Sequence, residues 1–158
     1  LAEYIKKSPG EIRTHEDEVI GQHDGLMFYT IGQRQGLGIG GRRNASADPW
    51  YVTGKELDRN ILRVAQGVNH PSLFSSGLQA GSLHWISGAS PANEFSCSAR
   101  IRHRQPLQDC SVTMTGQQSC RVLFREPQRA VTPGQSVVFY NGDECLGGAV
   151  IDQPVTEA

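Results

Sequence analysis

The sequence predicts a mostly-β protein of the α+β class: a small mixed domain followed by an antiparallel closed barrel or sandwich. Three observations predict it. Apolar and polar residues alternate with a period of two from Phe95 to His103, from Cys110 to Thr115 and from Cys120 to Arg125, which is the pattern of half-buried strands. Turn signals recur at short spacing in the same region: Gly116-Gln117-Gln118, Thr132-Pro133-Gly134-Gln135 and Asn141-Gly142, the last being the strongest hairpin signal in the chain. No stretch from Leu78 onward carries a credible helical spacing of apolar residues, so these strands must cover their apolar faces against one another.

Taken in order, the first half is mixed. Glu11-Ile12-Arg13 and Val19-Ile20 flank the charged stretch from His15 to Glu18, which predicts a hairpin. Asp24 ahead of Gly25-Leu26-Met27-Phe28-Tyr29-Thr30-Ile31 predicts a short capped helix. A glycine-rich loop, Gly36-Leu37-Gly38-Ile39-Gly40-Gly41, follows. Asp48-Pro49 marks a turn, Trp50-Tyr51-Val52 a strand, Lys55 to Asn60 a polar turn, and Ile61 to Ala65 a second strand. Asn69-His70-Pro71-Ser72 and Ser75-Ser76-Gly77 mark a boundary, giving domains over residues 1–75 and 76–158. Within the second, Ser136–Tyr140 and Leu146–Ile151 are the closing strands.

Composition narrows the class. Hydrophobic residues make up 37% of 158, which excludes wholesale disorder. Fifteen Lys and Arg against sixteen Asp and Glu exclude a histone-like or acidic-tail protein. No apolar run reaches the roughly 18 residues of a spanning helix, so no membrane partner is expected. The opening Leu1-Ala2-Glu3-Tyr4-Ile5-Lys6-Lys7 is neither a signal peptide nor an initiator methionine, and reads as part of something longer. All three lysines lie in the first half, whereas the second half uses arginine alone, the cation suited to bidentate phosphate contact.

The motifs are sparse. Cys97, Cys110, Cys120 and Cys145 show no Cys-x-x-Cys and no zinc spacing; each falls on the apolar side of a strand, as buried thiols do, and no metal site is expected. Gly36, Gly38 and Gly41 satisfy Gly-x-Gly-x-x-Gly, but Arg42 to Pro49 is no helix start, so dinucleotide binding is disfavoured; what is left is a bare flexible loop or, with Arg34, Arg42 and Arg43 flanking it, a loop that approaches a phosphate or another domain. There is no P-loop, no nucleophile–base pairing and no paired carboxylate motif, so no catalytic residue is expected. Strict alternation would line Arg100, Arg102 and Arg104 along one strand face about 7 Å apart, as a nucleic-acid backbone stripe or as a solvated face. Gln105-Pro106 suggests that the strand ends nearby, which would free His103 to sit at the rim.

The segment from Gly25 to Gly41 resembles the signature of bacterial tRNA-specific 2-thiouridylases. Pro49-Trp50-Tyr51-Val52, Arg102-His103-Arg104-Gln105, Val131 to Ser136 and Phe139 to Gly148 agree with that family in order and spacing. The resemblance covers essentially the whole chain and implies the C-terminal part of the enzyme, a central domain followed by a β-barrel. It further implies an ATP-dependent sulfurtransferase acting on the tRNA wobble uridine in the cytoplasm. The ATP site, with magnesium, and both catalytic cysteines would lie in an N-terminal domain outside this sequence, leaving this part inactive by itself and without a bound cofactor. A sulfur-donor protein would serve the full enzyme. In the family, the positions matching Arg102, His103 and Gln135 contact tRNA; a tyrosine often stands where His103 does, and either ring can stack or hydrogen-bond. The rival reading is a β-barrel protein-interaction module without nucleic-acid binding.

Overall fold

A computed structural model describes residues 8–34, 36–37 and 48–156. The chain divides into two compact units, residues 1–73 and 74–158, each with its own core.

The first unit is a four-stranded sheet in the order β2-β1-β4-β3, with β1 Gly10–Thr14, β2 Val19–His23, β3 Trp50–Glu56 and β4 Ile61–Gln66. The hairpin read from Glu11 to Ile20 is β1 and β2, paired antiparallel; β3 and β4 form a second hairpin, and β1 and β4 join the two in parallel, Ile12 facing Leu62. Ile12, Val52, Leu62 and Val64 bury completely and form the core with Leu26, Tyr29 and Leu37. Asn60 holds the β3–β4 turn. It adopts φ 56°, which Asn tolerates, and its Nδ2 donates to the carbonyls of Ser8 and Pro9 at 3.0 Å each, tying the entry of β1 to that turn. Fully buried His23 uses both ring nitrogens: Nε2 donates to the Asn60 carbonyl (2.8 Å) and Nδ1 accepts the Gly25 N–H (3.0 Å), which fixes the tautomer.

The sequence reading from Gly25 to Ile31 needs correction. Only Leu26–Phe28 is helical, as a single 3-10 turn, and Asp24 does not cap it. Leu26 and Tyr29 bury while Met27 and Phe28 face solvent, so three residues suffice to seat the two apolar anchors. Gly38 to Gly41, Arg42 and Arg43 lie outside the described residues; Leu37, ahead of them, is buried in the core.

The second unit is a closed barrel in the order β10-β5-β8-β7-β6-β9, every pairing antiparallel. Its strands are β5 Phe74–Trp85, β6 Glu94–Arg100, β7 Gln108–Met114, β8 Cys120–Arg129, β9 Ser136–Asn141 and β10 Glu144–Val155. Closure removes every open edge, which is how six half-apolar strands satisfy their backbone groups. The predicted alternation is realised: Ala99, Cys110, Val112, Cys120, Val122, Phe124, Val137 and Phe139 point into the barrel. Ser75-Ser76-Gly77, read as part of a linker, lies within β5. β5, β8 and β10 run ten to twelve residues and carry bulges, which let long strands wrap a narrow core. Trp85 packs against Phe95 and Phe139 with ring centroids 5.6 Å apart in each pair. Among the described residues no helix is long and apolar enough to cross a membrane.

Candidate nucleic-acid interface

The barrel does not display an arginine stripe. β6 ends at Arg100, and Ile101 to Arg104 leave the sheet as a turn, so strand parity stops applying after the first of the three arginines. Arg100 is occupied: its guanidinium donates to the Tyr140 hydroxyl (2.8 Å) and lies 5.0 Å from the ring centroid of the same residue. Arg104 adopts φ 67°, the left-handed conformation that reverses the chain.

A glutamine makes the turn. Gln105 Oε1 accepts the Ile101 N–H (2.9 Å), the donor that would otherwise extend the ladder, and the Gln105 N–H closes the turn on the Arg102 carbonyl (3.2 Å). Gln105 Nε2 then donates to Oε1 of Gln128 (2.8 Å), a residue of β8 that is 3% exposed. Gln128 Nε2 in turn donates to the Glu126 carbonyl (3.0 Å) and to Gln108 Oε1 (3.3 Å). A buried amide with its hydrogen-bonding capacity used on both sides is a rigid anchor, because leaving any of these groups dry and unpaired is costly. Gln128→Leu should therefore destabilise the chain by about 1–3 kcal/mol, read as a lower urea midpoint. An unchanged midpoint would mean that the amide network holds nothing.

The turn presents Arg102 and His103 outward, and both are exposed. The Arg102 Nη1 donates to the Arg129 carbonyl (2.6 Å), tethering one terminal nitrogen of the guanidinium to β8. Burial, and then the positive charge of Arg129, push the Arg102 pKa below its ordinary value. Arg102 remains charged across the working range, but it stands partly desolvated beside a like charge, a condition that an incoming anion relieves.

Gln135 reaches the same end of the barrel by another route. Arg100 pairs with Val138, so the residues after Arg100 and those before Val138 share one barrel end. The Thr132–Gln135 turn is anchored on β10: the Gly134 N–H donates to the Ile151 carbonyl and the Gln135 carbonyl accepts the Ile151 N–H, both at 2.8 Å. The backbone of Gln135 is thereby fixed and its side chain exposed. Structure thus brings Arg102, His103 and Gln135 to one end, with Arg100, Arg104 and Arg129. Glu94 opens β6 at the other end, and Asp143 and Glu144 sit in or beside the β9–β10 hairpin there. The division is partial, since Asp109, 3.8 Å from Arg125, and Glu126 and Asp152 lie nearer the arginines.

Sequence reasoning used Gln105 to mark the strand end but missed its bonds to Ile101 and Gln128, and missed Gln128 altogether. Gln128 keeps the inward parity of Cys120, Val122 and Phe124, and an inward-facing amide was the available signal. Among the described residues no group of three or more His, Cys, Asp or Glu is placed to hold a metal ion. Of the thiols, Cys110 and Cys120 are buried and Cys97 and Cys145 half-buried, and all four are free. Burial raises the Cys120 thiol to about 11, that of an unreactive core residue.

Residues 75–151 match the model of the aminomethyltransferase beta-barrel domain, and residues 1–66 that of the tRNA methyl transferase PRC-barrel domain. The chain is 55% identical over 154 residues to the tRNA-specific 2-thiouridylase MnmA of Methylococcus capsulatus, covering 96% of this chain and 42% of that protein. It is 54% identical over 151 residues to the corresponding protein of Nitrosococcus oceani (96% and 41%) and 52% identical over 151 residues to that of Francisella philomiragia (96% and 42%). The chain spans about two fifths of the length of these curated relatives. It belongs to the tRNA-specific 2-thiouridylase family, to whose C-terminal portion it corresponds.

Proposed function

We propose that these residues are the tRNA-gripping and scaffold part of a tRNA-uridine 2-sulfurtransferase, the first unit its central domain and the second its C-terminal β-barrel. The observation that carries the reading is the convergence of Arg102, His103 and Gln135 on one barrel end, on two turns that are each pinned to a neighbouring strand. Arg102 takes a phosphate, His103 stacks on or hydrogen-bonds to a splayed base or sugar, and Gln135 positions the strand through its amide. Such contacts supply affinity and register rather than chemistry.

On this reading ATP with magnesium, adenylation of the uridine and delivery of sulfur by cysteine fall to the rest of the enzyme, which works in the cytoplasm with a sulfur-donor protein. This part alone is inactive.

The test is tRNA binding by the full-length enzyme across a salt series. Arg102→Ala should weaken binding by roughly tenfold and lower the slope of log affinity against log salt by about one. An unchanged slope removes Arg102 from the interface. Unchanged tRNA affinity in Arg102→Ala, His103→Ala and Gln135→Ala alike, with the enzyme folded, would favour a barrel that contacts protein rather than tRNA.

A further inference from the structure

Cys97 and Cys110 are directly opposite each other on β6 and β7, and their sulfurs stand 3.8 Å apart, with both thiols free. Directly opposed residues of an antiparallel pair have Cα atoms about 4.5–5.5 Å apart, inside the roughly 4.4–6.8 Å that a disulfide spans. Side-chain rotation alone can bring the sulfurs to bonding distance, with no strand displaced. Cys120 pairs with Met114 and Ala80, so the sheet offers Cys97 and Cys110 each other and not this third interior thiol.

From this geometry we propose that Cys97 and Cys110 form a reversible disulfide by exchange with a low-molecular-weight disulfide of the glutathione type. The proposal concerns chemistry within the barrel and does not rest on the tRNA-binding reading. Roles follow from placement. Cys97 is half-buried, so it is the thiol that a small oxidant reaches, whereas Cys110 is 7% exposed. With the Cys110 S–H donating to the Cys97 sulfur, Cys97 sits below the ordinary thiol value, while that bond and burial push Cys110 above it. Cys97 is thus the thiolate that attacks and Cys110 the thiol that resolves.

The exchange balances. The Cys97 thiolate attacks one sulfur of the small disulfide, forming a mixed disulfide and expelling one small thiolate. Cys110 then loses its proton and attacks the Cys97 sulfur, expelling the second. Two protein thiols are oxidised to one disulfide, and one small disulfide is reduced to two small thiols. The bond would clasp the strands that bracket residues 101–107, closing covalently the segment that presents Arg102 and His103.

The test is thiol mapping of the folded chain in mixtures of oxidised and reduced glutathione, quenched by alkylation and read by peptide mass spectrometry. Expected are the loss of the free thiols of Cys97 and Cys110 together, a linked peptide pair lighter by two hydrogen masses, and recovery of both thiols with dithiothreitol. Cys120→Ser and Cys145→Ser should leave the linked pair intact, and Cys97→Ser should abolish it. Three results would overturn the proposal: a stable glutathione adduct on Cys97 with Cys110 still free, a linkage involving Cys120 or Cys145 instead, or both thiols remaining free in the most oxidising mixture. Because the wild-type map reads the bond directly, the outcome does not depend on any variant folding.

Discussion

Phe139→Ala should cost the barrel about 3–5 kcal/mol, the largest single-residue loss expected in this chain. Phe139 is fully buried, sits at the middle of β9, and faces both Ala99 of β6 and Gly147 of β10. Its ring packs on Trp85, which stands in turn against Phe95, so truncation opens a void among aromatic neighbours that are held by a closed ring of strands and cannot collapse inward. At this chain length the loss corresponds to a thermal midpoint lower by on the order of 10 °C. A shift of only one or two degrees would mean that the barrel interior relaxes around the gap.

Gly147→Ala should be nearly as damaging for the opposite reason, excess matter rather than missing matter. A Cβ at residue 147 would lie 2.2 Å from the His84 carbonyl oxygen and 3.0 Å from the Trp85 Cα, both backbone atoms that cannot swing aside. Residue 147 also has φ 156° and follows the irregularity between Cys145 and Gly147 where β10 bends. Overpacking together with a strained backbone should cost about 2–4 kcal/mol. Gly142→Ala is the control: its added Cβ meets nothing within 4 Å, so only the strain of its φ of 59° is felt, and its midpoint should fall less. Equal losses at the two positions would remove the close strand contact as the cause.

Much of this architecture is legible in the residues, because period-two alternation and turn chemistry are local. β7, β8 and β9, and the Asn141-Gly142 hairpin that joins β9 to β10, stand where alternation and turn residues place them. Local reading fails where a distant partner decides. Arg100, Arg102 and Arg104 continue the alternation of β6, and nothing in their spacing shows that Gln105 takes the Ile101 N–H or that Gln128, from β8, holds Gln105. The helix expected after Asp24 shrinks to one turn for a similar reason: burying Leu26 and Tyr29 in the sheet core satisfies that segment sooner than a helix running on to Ile31 would. His103 at the rim was legible, because Gln105-Pro106 already marked the end of the strand.

The barrel's two seams with β10 have a consequence for synthesis. β5 starts the barrel at Phe74, yet one of its two partners is β10, where Val155 pairs with Gly77. A ribosome therefore releases β5 to β9 before the strand that completes the ring exists. Until β10 emerges, β5 and β9 each keep a naked flank able to pair with a neighbouring nascent chain. Closure is a long-range event that comes late in translation, and ring formation should be slow for so small a unit.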